Sequence, residues 1–311
     1  MQPTTPAKAS FSLKNLPRLL KKAFSILVQN DPLRMEGATA FFTSFALPFI
    51  LILLLQVLGL IIDPQKLRQE LFEDLSGIFG VQSVRQMVDT LIAFRHLANN
   101  IFVTIAGVVF LLLVSTTLLM VIKGSINQLW RIRVESKRSF FSQLGTRLKS
   151  VLIIAATGIL FLISIVAEAG KSQVGNTISR LSPNAAFYFI SSLTYLLSLL
   201  FVTLWFGIIF RLLPDARPPW KVAFTGAIVT AILFNLGKYL LRLLLTGSNL
   251  NSLYGTSASV VLVLLFVFYT SLIMYFGAAF TRIWAEYRQQ TIKPMPYAAH
   301  YKLTEVPEGN N

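Results

Sequence analysis

Six long apolar runs constrain this sequence more than any other feature. Each is close to the roughly 20 residues that an α-helix needs to cross the hydrocarbon of a bilayer. They lie at about 38–62, 101–122, 150–168, 186–210, 222–245 and 257–281. The first four hold uncharged runs of ordinary spanning length, whereas Lys238 and Arg242 interrupt the fifth. No charge occurs between Arg242 and Arg282, but TGSNLNSLYG (246–255) is full of turn formers and must be a short connection. Only 13% of the chain is charged and 54% is hydrophobic, whereas about a quarter of a soluble domain is charged. The surface needed to face water is missing. The expected fold class is all-α: a polytopic integral membrane protein with six transmembrane helices over residues 35–285, a segment 1–34 before them and a tail 286–311 after them.

The distribution of charge sets the orientation. The chain has 28 Lys and Arg against 13 Asp and Glu, a net charge of +15. In a soluble protein that excess would suggest nucleic acid, but here it follows the spans. Six basic residues precede the first span, seven lie in 123–149, three in 211–221 and four after 281, twenty in all. The opposite side has four in 63–100 and two in 169–185, six in all. By the positive-inside rule both termini are cytoplasmic. Trp130, Trp205, Trp220 and Trp284 then all fall at cytoplasmic ends of spans, where an interfacial belt would place them.

Outside the spans, residues 11–28 are amphipathic. Leu16, Leu19, Leu20, Ala23 and Leu27 share one helical face, and Lys14, Arg18, Lys21 and Lys22 another. Two readings fit: a helix lying on an anionic leaflet, or one packed under the bundle. Residues 1–30 lack the apolar stretch and cleavage site of a signal peptide. The stretch 63–100 is long for a loop and reads as two short helices broken near Gly77 and Gly80, forming a small extracytoplasmic cap.

Residues fit for catalysis are scarce. The chain has no cysteine, which excludes disulfides and thiolate chemistry. His96 and His300 lie on opposite sides of the membrane in this topology and read as surface residues. Glu73 and Asp74 read as a solvated face. No phosphate-binding loop, nucleophile elbow or zinc-protease motif is present, so no enzyme activity and no cofactor are expected. Three features in or beside the spans have modest readings: Pro48, inside the first span, kinks it and frees a carbonyl near Ser44, Glu36 offsets Arg34, and Asn127 caps a helix end.

The fifth span is the informative one. At 100° per residue, Ala227, Ala231, Asn235, Lys238 and Arg242 fall in one sector about 80° wide. Val229, Leu233, Leu236, Leu240, Leu243 and Leu244 cover the opposite side. Small residues allow close helix approach and polar ones avoid lipid, so the first stripe should face the bundle or a wet cavity. A basic residue at mid-bilayer costs about 2.5–3.5 kcal/mol on insertion scales, less toward the interface. Arg242 can snorkel to the outer interface. Lys238 is deeper, and two readings stand: a structural ion pair with Glu168, at the end of the third span, or a site for an anionic group such as a lipid phosphate.

Four segments, MEGATAFFTSFALPFILILL (35–54), GSINQLWRIR (124–133), RLLPDARPPWKVAFTGAIVTAILFNLGKYLLRLLL (211–245) and YGTSASVVLVLLFVFYTSLIMYFGAAF (254–280), carry a resemblance. The chain resembles the YihY/BrkB family of bacterial inner-membrane proteins, once labelled ribonuclease BN. The resemblance implies a six-helix membrane fold and places Asn127, Trp130, Pro214, Trp220, Lys238, Tyr254 and Gly255 at positions typical of the family. Phe41 and Phe42 stand where the family often has Tyr, and Ala279 where it often has Glu. That last departure makes Glu168 a stronger partner for Lys238. The family's activity is supposed to be transport or lipid handling. The ribonuclease label lacks support here, because no acidic or histidine metal cluster is available to cleave a phosphodiester.

The combined expectation is a transport or lipid-translocation component, the alternative being a scaffold or envelope-assembly factor whose charges are structural. Lys238, Arg242, Asn235, Glu168 and Tyr254 are its candidate site residues. Membrane lipids, anionic phospholipid among them, are the expected partners, and nucleic acid is not. The topology is testable. Cysteine introduced at Ser83 should react with a membrane-impermeant maleimide in spheroplasts, while cysteines at Ser139 and Thr304 should not. Labelling at Ser139 without labelling at Ser83 would invert the orientation.

Overall fold

The apolar runs fold as helices whose limits have local causes. The computed structural model describes residues 15–58, 101–134, 183–246 and 258–302, with the helical positions 72, 76, 81, 84, 85, 88, 158–160, 163, 164 and 167. In chain order the elements are α1 (Leu16–Val28), α2 (Pro32–Leu58), α3 (Ile101–Leu129), β1 (Ile132–Val134), α4 (Pro183–Leu212), β2 (Ala216–Arg217), α5 (Trp220–Thr246), α6 (Ala258–Tyr287), β3 (Lys293–Pro294) and β4 (Ala298–His300). Proline opens α2 and α4, where its missing N–H costs nothing. Asp31, Arg131 and Gln289, just past the ends of α1, α3 and α6, have φ near +50°, the left-handed turn that commonly ends a helix.

Three helical stretches among the described residues are long and apolar enough to cross a membrane: Tyr188–Leu212, Trp220–Leu241 and Val261–Tyr287. They match the expected fourth, fifth and sixth spans. The expected first and second coincide with α2 and α3, of 27 and 29 residues. The expected third lies outside the described residues except for scattered helical positions. The outward faces are apolar: Leu113, Met120, Leu196, Leu200, Ile228, Ile232 and Leu236 are all exposed, as lipid-facing side chains must be. Most of 63–100 is likewise outside the described residues. Val84, however, is buried in a cluster with Ala40 of α2 and Leu262, Val263 and Val267 of α6. This part packs against the flanks of two spans.

The ends of α3, α4 and α6 and the starts of α2 and α5 gather at one end of the bundle, held by two short antiparallel strand pairs. β1 pairs with β4, Ile132 opposite His300, and β2 pairs with β3, Ala216 opposite Pro294. These pairs are the small β addition to an all-α expectation. α1 packs beneath this end against α6. Leu19, Ala23 and Leu27 are buried, and Arg18, Lys21 and Lys22 are exposed. Of the two readings of the amphipathic segment, packing under the bundle is the one observed. The tryptophans also share this end, but they are not all a belt. Trp130 and Trp284 are buried, and Trp130 donates its indole N–H to the Ala278 carbonyl at 2.8 Å. Trp220 is half exposed, with the Arg211 guanidinium 5.3 Å over its ring.

Lipid offers no hydrophobic drive for helix association, so close packing and interhelical hydrogen bonds must hold spans together. The α5–α6 seam shows how. Thr281 lies directly over Gly226, and Thr230 over Gly277, each helix pushing a threonine into the other's glycine. Each hydroxyl bonds its own helix, Thr230 to the Gly226 carbonyl and Thr281 to the Gly277 carbonyl. One further contact completes the seam. The Tyr269 hydroxyl occupies the space a Cβ on Gly237 would need and donates to the Leu233 carbonyl at 3.2 Å. That contact explains a glycine immediately before Lys238.

A buried polar clasp joins the connections at the same end. Asp215, 2% exposed, faces Lys123 of α3 at 2.8 Å and accepts from the Asn127 amide at 2.8 Å and the Tyr297 hydroxyl at 2.9 Å. Its backbone N–H donates to the Asn127 Oδ1, and its carbonyl accepts from the Met295 N–H. Asn127 is therefore a cross-link between distant segments; the expected helix cap is not its role. Burial pushes the Asp215 carboxyl up, but the Lys123 ammonium and the Asn127 and Tyr297 donors outweigh it and hold the group below the usual carboxylate range.

Two outcomes follow. Gly277→Ala should destabilise the detergent-solubilised protein by about 1–3 kcal/mol through overpacking against Thr230, and adding Thr230→Ala should recover part of the loss in a thermal double-mutant cycle. The clasp should make stability acid-sensitive. Because the folded Asp215 has the lower affinity for protons, its contribution is full above the ordinary carboxylate value and fades as pH falls through the folded one. Asp215→Asn should lower the neutral-pH melting temperature, by an amount equivalent to about 3–5 kcal/mol for a broken buried pair, and flatten the acid limb.

Candidate functional site

The stripe on α5 divides by neighbour. Ala227 and Ala231 are fully buried, and Leu236 and Leu240 are about half exposed, so the helix is rotated as its sequence predicts. Val229 and Leu233 are the departure: both are partly buried, because α5 lies between α4 and α6 and has two packed faces. Asn235 is half-buried. Its amide donates to the Ala231 carbonyl at 2.9 Å, and its Oδ1 accepts from the Ser198 hydroxyl of α4 at 3.2 Å. This is an interhelical bond of the kind that ties polar residues together in lipid.

Lys238 is one turn farther along and is also half-buried. Among the described residues no acid forms an ion pair with it. The backbone of Arg242 continues α5, but its side chain, Glu168 and Tyr254 lie outside the described residues. The structure thus brings Asn235 and Lys238 onto one helix face with Ser198 opposite. The combination supplies a cation with three N–H donors beside an amide already engaged.

A second polar centre escapes the sequence reading. Glu36, near the start of α2, is 1% exposed, and neither carboxyl oxygen has a hydrogen-bond partner. It does not offset Arg34, which is exposed and donates to Gln128 of α3 at 3.2 Å. Thr39 of α2, one turn along, meets the buried Tyr275 hydroxyl of α6 at 2.6 Å, with Ser125 of α3 also beside Tyr275. Tyr275 lies near enough to Glu36 for their charges to interact. The sequence signal was an acid within one helical turn of Thr39, at the edge of an apolar run. A spacing of two places Arg34 and Glu36 on different faces of a helix.

Comparison with known proteins agrees with this architecture. The family model described as Virulence factor BrkB matches residues 23–301. A UPF0761 membrane protein of Idiomarina loihiensis is 25% identical over 239 residues, 74% of this chain and 76% of that one. A UPF0761 membrane protein of Alcanivorax borkumensis is 24% identical over 296 residues, 93% of this chain and 66% of that one. One from Pseudomonas aeruginosa is 29% identical over 202 residues, and the match spans only 46% of its length. No solved structure matches. Spanning helices, the tryptophan-rich end and a match running through nearly all of the described residues lead to one assignment: this chain is an integral membrane protein of the BrkB family.

Proposed function

We propose that the protein is a transport or lipid-translocation component of the bacterial inner membrane, with both termini cytoplasmic. Its polar pocket, in the extracytoplasmic half of the bundle, recognises an anionic phospholipid head group. Lys238 supplies the charge that attracts the phosphate, and Arg242 a second cation nearer the interface. Asn235 and Tyr254 are neutral hydrogen-bonding groups, and Glu168 balances the charge when the site is empty. The observation that carries this reading is the half-buried Lys238 on a spanning helix, with no acidic partner among the described residues. A cation kept at that depth needs an anion to offset its desolvation. One observation favours the alternative of a non-transporting scaffold: Asn235 is already engaged by Ser198 and Ala231. On either reading the protein is not a nuclease.

The test is native mass spectrometry of the protein released from membrane extract, with lipid analysis of what it retains. An anionic phospholipid should co-purify, and Lys238→Met should reduce its retention about tenfold, the equivalent of about 1.4 kcal/mol. The variant should keep its fold and its place in the membrane. Equal retention by Lys238→Met and the unaltered protein would sink the lipid site. A large stability loss in Lys238→Met that is recovered on adding Glu168→Gln would mark a structural ion pair and support the scaffold reading.

A further inference from the structure

The hydroxyls around Glu36 have their protons assigned. Thr39 donates its one proton to the Met35 carbonyl at 2.9 Å, so in the 2.6 Å contact Tyr275 is the donor and Thr39 the acceptor. The chain runs from Tyr275 to Thr39 to the Met35 carbonyl, crossing from α6 to α2. Both hydroxyl protons are committed, and neither Glu36 oxygen has a hydrogen-bond partner. A buried carboxyl that meets no donor has nothing to stabilise its anion. It needs a species that brings positive charge.

The other groups near Glu36 do not supply it. From α6 the facing titratable group is Tyr275, beside which Ser125 of α3 lies. Lys123, also on α3, is paired with Asp215. Arg34, on α2 itself, is bonded to Gln128, and Arg85, in the described part of 63–100, is exposed. Among the described residues no group of three or more His, Asp and Glu side chains is placed to hold a metal ion. Hard metal cations are held by six or more oxygens, while here the two hydroxyls of Thr39 and Tyr275 are already tied to each other. An ionised carboxylate in such a place would lose its hydration with nothing to replace it.

We propose that Glu36 is a proton-binding site of the bundle, formed where α2, α3 and α6 meet and closed off from solvent by their packing. In the packed state the carboxyl holds the proton on one oxygen. When the seam admits water the O–H bond breaks, the proton passes to water, and the carboxylate is left hydrated. The inference rests on the α2–α3–α6 seam and not on the α5 stripe, so it is independent of the lipid-site reading.

A hydrophobic carbodiimide tests it on the intact protein in lipid nanodiscs, since this reagent modifies a carboxyl in its protonated, water-shielded form. Peptide mass spectrometry should find the adduct on the peptide holding Glu36. Its rate of formation should fall about tenfold per pH unit on the alkaline side of the titration. The peptide of ion-paired Asp215 should stay unmodified and serve as the internal control. Infrared spectra should show a protonated-carboxyl band that titrates with the adduct rate and is absent in Glu36→Gln. Because the labelling arm uses the unaltered chain, a misfolded variant cannot decide the matter. No adduct at Glu36, a pH-independent rate, or suppression of labelling by sodium at fixed pH would each overturn the proposal, the last in favour of a metal ion. Loss of lipid retention in Lys238→Met would leave all these results unchanged.

Discussion

Spans surrounded by lipid cannot be driven together by apolar burial, because lipid tails are as apolar as leucine. What remains is contact at short range, and short range is available only where one helix lacks a side chain. In this protein the α5–α6 seam meets that constraint with glycine opposite threonine in both directions and glycine opposite tyrosine farther along. Other features depend on it. The seam places α5 so that Asn235 reaches Ser198 of α4. It also fixes α6, which brings Tyr275 to α2 and α3 and the Ala278 carbonyl to Trp130. Threonines that return their hydroxyl protons to their own helix let this happen without leaving a polar group unpaired in lipid.

The two polar centres at the strand-bearing end differ in completeness. Asp215 has a cation, an amide and a phenol around it, each a donor, and is satisfied as an anion. Glu36 is as deeply buried, but neither of its oxygens has a hydrogen-bond partner. A fully satisfied buried network fixes a single arrangement, whereas an unsatisfied one persists in native proteins chiefly where it has a task. That contrast separates the part of the bundle that anchors from the part that can change state.

Local periodicity made much of the fold legible. Helix lengths, the buried face of α1 and the inward turn of Ala227, Ala231 and Asn235 all follow from spacing along one helix. What depended on distant pairing did not. Asn127 reads as a cap because nothing nearby in sequence announces Asp215. The belt reading of the tryptophans failed for Trp130 because its N–H has the Ala278 carbonyl within reach and needs no interface. Val229 and Leu233 lie opposite the polar stripe yet are partly buried, and one helix alone cannot show that it has two neighbours. The resemblance to the BrkB family placed Lys238 in a motif, but the meaning of the adjacent glycine became visible only with Tyr269 lying against it.

The clasp at Asp215 also bears on how the chain is made. Asn127 precedes Asp215 by 88 residues, and Tyr297 follows it by 82. During synthesis Lys123 and Asn127 must wait, wetted by the interface, while α4 enters the membrane. Asp215 then arrives, but its phenol partner comes only with the last described segment, after α6. Ribosomal order therefore runs through the three positions like a lock closing in stages, and a chain released before Tyr297 would have all its described helices but an unfinished seal. The clasp is thus complete only when the segment after α6 has folded back onto the connection between α4 and α5.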